Sequence, residues 1–76
     1  MKVTYSLSNN VLMLDDGKII LTYGIVARDP LNDEVLAYFD DVSVSRSLTQ
    51  KITDILNGCE VELCHFREVV IDELNR

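Results

Sequence analysis

The apolar positions of this chain change their spacing once, near Val44. Before that residue they alternate in twos, which is typical of strands, and after it they recur in threes and fours, which is typical of helices. The pattern predicts an α+β fold in which an antiparallel meander of three or four strands, over about residues 2–42, is followed by two helices packed on one face. The helices are expected at about residues 46–57 and 63–75, and residues 1–76 form a single domain.

Turn signals divide the strand-rich half. The Asn-Asn pair at 9–10 predicts a tight turn, and the Asp-Asp-Gly sequence at 15–17 predicts a hairpin. The longest strand, residues 18–28, is apolar on both faces, so we expect it to be central and covered on both sides. Helices would cover one side, and either a partner subunit or a curled neighbouring hairpin would cover the other. Gly24 inside this strand predicts a bulge or a close contact.

Capping residues mark the helices of the second half. Ser45 or Ser47 is expected to cap the first helix, with Gln50 completing a capping box for Ser47. The Asn-Gly pair at 57–58 is expected to end this helix in a left-handed conformation. The predicted core residues of the first helix are Leu48, Ile52, Ile55 and Leu56. Those of the second helix are Leu63, Phe66, Val69, Val70 and Leu74.

Hydrophobic residues make up 47% of this 76-residue chain. A domain of this size buries only about 60% of the surface that its unfolded chain exposes. The excess of apolar side chains therefore predicts that some are buried against a second copy, most simply in a homodimer. Tyr23, Tyr38 and Phe39 are candidate interface anchors because aromatic side chains supply large contact areas, and the alternative is that they belong to the core.

The formal net charge is −6, and the seven basic residues are scattered along the chain. Nucleic-acid binding needs clustered Lys and Arg, so we expect no nucleic-acid partner. An acidic surface is compatible with a basic protein partner or simply with solubility. The first seven residues alternate polar and apolar, which is not typical of a signal peptide, and no apolar run reaches the length of a membrane span. We therefore expect no membrane association and a cytoplasmic protein with reduced cysteines.

Three stretches carry a resemblance to a known family: Tyr-Gly-Ile at 23–25, Asp-Val-Ser at 41–43, and His-Phe-Arg-Glu-Val-Val-Ile-Asp-Glu-Leu at 65–74. Together they resemble an uncharacterised family of short bacterial proteins with Tyr-Gly-Ile, Asp-Ile-Ser and His-Leu-x-Asp-Val-Val-Glu-Asp-Phe-Leu motifs. The chain departs from that pattern at Glu62-Leu63, where the family tends to have Ser-Pro, and at Ile71 and Glu73. The resemblance implies a compact, bacterial, intracellular domain and transfers no catalytic residue.

Cys59, Cys64 and His65 form the densest group of potential metal ligands. Structural zinc sites use four ligands, often in closely spaced pairs, so one copy would need help from a second to complete such a site. The alternative is that Cys59 lies in a loop, Cys64 packs in the core and His65 bonds to nearby backbone. Adjacent helical residues diverge, so Cys64 and His65 do not form a nucleophile and base pair.

No phosphate-binding, hydrolase or metalloprotease motif is present in the sequence. We therefore expect no catalytic residue, no cofactor and no enzymatic activity. The leading hypothesis is a non-enzymatic protein–protein interaction domain that acts as a homodimer. The alternative is a small metal- or thiol-based sensor that uses the two cysteines and the histidine.

Overall fold

The structure, a computed structural model, describes residues 2–76. Its strands are β1 (Thr4–Met13), β2 (Ile19–Arg28) and β3 (Val35–Ser43), joined antiparallel in the order β1-β2-β3. The helices are α1 (Arg46–Gly58), a short 3-10 helix (Leu63–His65) and α2 (Phe66–Leu74). The meander of three strands followed by two helices confirms the predicted α+β fold.

β1 is a single strand that continues through residues 9 and 10, so the turn predicted there is wrong. Its pairing with β2 runs without a shift from Thr4 opposite Arg28 to Met13 opposite Ile19. The Asn10 side chain joins β1 to β3 instead: its amide nitrogen donates to the Asp40 carbonyl, and its oxygen accepts from the Tyr38 hydroxyl at 2.8 Å. Asn10, a residue type that is common in turns, therefore links β1 to β3 across the sheet.

The predicted hairpin at residues 15–17 is confirmed. The Leu14 amide donates to the Lys18 carbonyl, and the Gly17 amide donates back to the Leu14 carbonyl at 2.9 Å. Gly17 has a φ of 85°, which is the left-handed position of a three-residue hairpin loop.

Gly24 lies where both neighbouring strands approach β2 closely. The pairing of β2 with β3 shifts between Tyr23 and Ile25, and a Cβ at Gly24 would collide with the Phe39 carbonyl oxygen. The same Cβ would lie 2.9 Å from the Ser8 hydroxyl of β1. Both outer strands therefore approach β2 closely on the face opposite the helices, and Thr22, Gly24 and Val26 on that face are buried. This agrees with the curled-strand alternative for covering the second face.

Ser45 caps the first turn of α1. Its hydroxyl accepts the Leu48 amide at 3.2 Å. Gln50 donates to Asp54, one turn further on, so the capping box predicted for Ser47 is wrong.

The buried face of α1 is rotated relative to the predicted one. Its buried residues are Thr49, Ile52, Thr53 and Leu56, whereas Leu48 is 37% exposed. The threonine hydroxyls donate to carbonyls one turn earlier, Thr49 to Ser45 and Thr53 to Thr49, at 2.9 and 2.8 Å. These bonds satisfy the hydroxyls within the helix, so the threonine methyl groups can be buried without an unpaired polar atom.

The end of α1 is left-handed at Glu60, with a φ of 48°, and not at Gly58 as predicted. The Val61 amide donates to the Leu56 carbonyl and the Glu60 amide donates to the Asn57 carbonyl, which together form a Schellman motif. Val61 then packs against the core cluster that contains Leu56. A glutamate thus occupies the position that glycine usually takes.

Tyr5 connects β1 to the helical layer. Its backbone amide donates to the Asn57 side-chain oxygen at 2.9 Å, and its carbonyl accepts the Asn57 side-chain amide at 2.8 Å. Its hydroxyl donates to the Val61 carbonyl at 2.7 Å, and its ring lies 5.0 Å from that of Phe66. The core lies between the sheet and the helices at this end of the molecule. Its buried residues are Val3, Tyr5, Ile25, Ala27, Val42, Ile52, Leu56, Phe66 and Val70.

The same substitution should have opposite effects at two glycines. Gly24→Ala places a methyl group against backbone oxygens and should lower the free energy of unfolding by about 1–3 kcal/mol. Gly58→Ala meets no atom within 4 Å apart from its chain neighbours and the backbone of its own helix, and it should raise this free energy by about 0.5–1 kcal/mol because alanine favours the helix. Urea denaturation of both variants checks this. Equal effects would contradict the curl of the strands around Gly24.

Glu60→Gly should raise the free energy of unfolding by up to about 1 kcal/mol, because glycine adopts the left-handed conformation without steric cost. The matched control is Glu62→Gly, whose backbone is extended with a φ of −73°. This control should lower the same quantity by about 0.5–1 kcal/mol, because there glycine only increases the entropy of the unfolded chain. Thermal or urea denaturation measures both. A destabilised Glu60→Gly variant would rule out the Schellman end.

Candidate interaction surface

β1 and β2 extend beyond the rest of the sheet. β3 ends at Ser43, opposite Tyr23, so the part of β2 before Tyr23 pairs with β1 alone. We call this two-stranded projection, residues 10–22, the hairpin arm. α1 begins three residues after Ser43, and its last turn contacts Tyr5 near the other end of β1. The core and the contacts of Tyr5 with the helices therefore lie away from the arm.

The arm exposes apolar side chains on the face of the sheet that elsewhere forms the core. Two cross-strand pairs, Val11 with Leu21 and Met13 with Ile19, lie on this face. Their exposed fractions are 64% and 49% for the first pair, and 76% and 66% for the second. Leu12 and Leu14 are also exposed. The arm continues the core face into solvent.

This projection makes the molecule extended. Its radius of gyration is 13.0 Å, whereas about 11 Å is expected for a compact domain of 76 residues. The principal extents are 43 × 30 × 18 Å. Contiguous exposed apolar patches on small proteins commonly mark interaction sites.

Charge on the arm is restricted to its turn. Asp16 and Lys18 approach each other at 3.9 Å, and Asp15 is adjacent. The strand segments of the arm, residues 10–13 and 19–22, contain no charged residue although the chain has a net charge of −6. The apolar face can therefore be covered without desolvating a charged side chain.

The three predicted interface aromatics lie on β2 and β3, outside the hairpin arm. Tyr23 is half-buried, and Tyr38 is 46% exposed with its hydroxyl bonded to Asn10. Phe39 packs against the core, with its ring centroid 6.4 Å from that of Phe66 and the Arg67 guanidinium 5.0 Å above it. Their role at an interface stays a prediction.

The two cysteines and the histidine lie around the connection between the helices. Cys59 is the C-cap of α1, Cys64 belongs to the 3-10 helix, and both thiols are free and exposed. The expectation that Cys64 packs in the core is therefore wrong. The Cys64 sulfur lies 3.9 Å from the Glu62 carboxylate, and the His65 Nδ1 lies 3.8 Å from that of Glu68. Within residues 2–76, no three His, Cys, Asp or Glu side chains are arranged to hold a metal ion. The sensor hypothesis stays a prediction that nothing in this geometry favours.

An open groove with a volume of about 490 Å³ lies beside the start of β1. It is lined by Lys2, Val3, Thr4, Asn57, Glu60 and Glu62. Its polar groups include the Asn57 amide, which is already bonded to Tyr5, and side chains that are exposed to solvent. The groove holds no pair of side chains placed as a nucleophile and its base.

Comparisons with protein-family models, with curated proteins and with solved structures find no match to this chain. The resemblance to the bacterial family therefore stays a prediction. Nothing in these comparisons or in the described part of the chain indicates an enzymatic activity. Among residues 2–76, no helix has both the length and the apolar character needed to cross a membrane.

The exposed residues of the arm were not singled out by the sequence reasoning. The sequence signal for these exposed residues was strand length: the strand predicted at residues 18–28 is the longest of the meander, so part of it must lack one neighbour. Exposed apolar residues at the unmatched end of a strand are then candidates for an interface. The two apolar faces of residues 18–28 indicate instead that this whole strand is covered on both sides.

Burial of the Tyr5 hydroxyl raises its pKa above the ordinary value of about 10, and charge on Cys64 raises it further. The folded state thus favours the protonated hydroxyl of Tyr5. The stability gained from this preference is fully present below pH 10, and it is lost as the pH rises through the higher pKa of the folded state. We expect the free energy of unfolding to fall above about pH 10.

Tyr5→Phe tests this directly by urea denaturation between pH 7 and 11. At pH 7 it should lower the free energy of unfolding by about 1 kcal/mol, because the bond to Val61 is lost, and it should reduce the alkaline decline. The matched control, Tyr23→Phe at a half-buried position, should retain the decline. An alkaline decline in Tyr5→Phe as steep as in the wild type would contradict the assignment.

Proposed function

We propose that this chain is a non-enzymatic protein–protein interaction domain that acts as a homodimer. The observation that carries the proposal is the hairpin arm, with its four exposed apolar side chains in two cross-strand pairs. An isolated two-stranded hairpin is at best marginally stable in water. A partner that covers the arm would therefore stabilise a segment that the rest of its own chain leaves exposed.

The composition supports the same proposal. The exposed large hydrophobics within the arm and its turn are Val11, Leu12, Met13, Leu14, Ile19 and Leu21. They form the main concentration of such residues in the described chain, whereas Leu31 and Val44 are separate. Because a small domain has a thin core, burial between two copies adds apolar contact that the single chain lacks.

A second protein partner would meet the remaining surface of the dimer. Each whole chain has a net charge of −6, and outside the arm acidic residues lie on the helices, on β3 and in the connection between β2 and β3. A partner with a basic surface would associate faster with such a dimer than a neutral one, and the effect would weaken with salt.

Sedimentation of the purified chain over a range of concentrations tests the homodimer. The wild type should associate, and Met13→Lys or Ile19→Lys should weaken the association at least about tenfold, because a charge would be buried without a partner. Leu31→Lys is the matched control: Leu31 is 94% exposed and lies in the connection between β2 and β3.

The control should associate as the wild type does. A wild-type chain that stays monomeric at millimolar concentration, and that recovers no partner in affinity purification, would refute the proposed function. Equal weakening by the control and the arm variants would show that the added charge, and not the arm, is responsible.

A further inference from the structure

The outer edge of β1 offers unpaired backbone groups. Tyr5 shows their direction, because both its amide and its carbonyl point away from β2 and bond to the Asn57 side chain. In an antiparallel pair this direction alternates along the strand. The backbone groups of Leu7, Asn9, Val11 and Met13 therefore also point away from β2, and no other strand of residues 2–76 lies there.

This edge lacks the features that protect natural sheet edges. β1 has ten residues, none of them charged and none a proline, and its pairing with β2 has no bulge. The opposite edge, β3, carries Asp40 and Asp41 and has two register shifts. Charges and bulges are the usual means of preventing edge-to-edge pairing. The contrast identifies β1 as the edge available for a partner strand.

We propose that residues 7–13 of β1 pair antiparallel with the same residues of a second copy, about a two-fold axis near Asn10. This inference rests on the proposed homodimer and specifies its interface. Leu7 would lie opposite the partner's Met13, and Asn9 opposite the partner's Val11. The two three-stranded sheets join into one sheet of six strands.

The register follows from the shape of the free edge. The segment from Leu7 to Met13 is bounded on one side by Tyr5, which Asn57 already occupies, and on the other by the turn that begins at Leu14. An antiparallel pairing that uses the whole segment in both copies is centred on its middle residue, Asn10. Outward-facing residues then lie opposite outward-facing residues, as a ladder of hydrogen bonds requires.

A second copy fits this edge better than a charged partner does. The chain has a net charge of −6, so two copies repel each other wherever their carboxylates meet, but β1 contributes none. A basic partner would find no carboxylate on this strand to pair with. Electrostatic repulsion between two copies is therefore weakest along β1.

Pairing of the two β1 edges would also enlarge the interface between the copies. The partly exposed side chains of Val11, Met13, Ile19 and Leu21 represent roughly 150–300 Å² of apolar surface per copy, taking each complete side chain as 60–120 Å². A stable interface buries about 800 Å² per partner. The arm alone is too small, whereas edge pairing adds seven residues of backbone. It also brings each arm beside the helical end of the other copy.

Hydrogen exchange of the wild-type chain, read by NMR, tests the pairing. The amides of Leu7, Asn9, Val11 and Met13 should exchange quickly in dilute protein and at least about tenfold more slowly once the dimer is populated. The amides of Ser8 and Asn10, which point toward β2, should be protected in both conditions.

The substitution Asn9→Pro removes one outward N–H without removing a bond to β2, since proline is tolerated at a strand edge. It should weaken dimerisation at least about tenfold in sedimentation experiments. Asn9→Ala is the matched control: it removes the same side chain, keeps the N–H, and should dimerise as the wild type does. Circular dichroism verifies that both variants are folded.

The possible results separate this inference from the proposed function. A dimer that forms with those four amides still exchanging quickly, or with Asn9→Pro as tight as Asn9→Ala, would overturn the edge pairing and leave the homodimer intact. A wild-type chain that never dimerises would overturn both. Slow exchange that appears only with the dimer, together with a selective effect of Asn9→Pro, would support the pairing.

Discussion

The bonds between Tyr5 and Asn57 determine which part of the sheet the helices cover. The two side-chain bonds of Asn57 occupy the outward backbone groups of Tyr5, much as a neighbouring strand would. The Tyr5 hydroxyl fixes the chain just after α1 through Val61, and its ring contacts Phe66 at the start of α2. Tyr5 thus contacts α1, the connection that follows it and α2, across more than fifty residues of sequence.

The exposure of the arm follows from that arrangement. α1 starts near the end of β3 and finishes beside Tyr5, so the helices gather at one end of a sheet whose first two strands are longer than the third. The curl around Gly24 buries the opposite face of β2 without a helix. The apolar side chains of the central strand are therefore covered near Ile25 and left exposed at Ile19 and Leu21.

The sequence predicted the kind and order of elements better than their local contacts. The change from twofold to helical spacing, the Gly17 turn and the core positions Phe66 and Val70 are set by short-range patterns, and all agree with the structure. The turn at residues 9–10, the capping box at Ser47 and the left-handed conformation at Gly58 were wrong, whereas the cap expected at Ser45 or Ser47 is Ser45. In each case a partner distant in sequence, or a competing local bond, determined the outcome: Asn10 bonds to β3, Ser45 caps the helix, and Asn57 bonds to Tyr5. The exposed apolar surface depends on which part of the long strand β2 the helices cover, and periodicity alone does not give that.

The dependence of β1 on Asn57 has a consequence for the chain during synthesis. Translation delivers the first two strands well before α1, and at that stage the outer edge of β1 is open along its whole length, including Tyr5. β1 itself carries no charged residue, and an open strand edge of this kind can pair with other partly folded chains. A fragment that lacks Asn57 could not occupy the outward backbone groups of Tyr5, so more of the β1 edge would stay open to pairing with other chains.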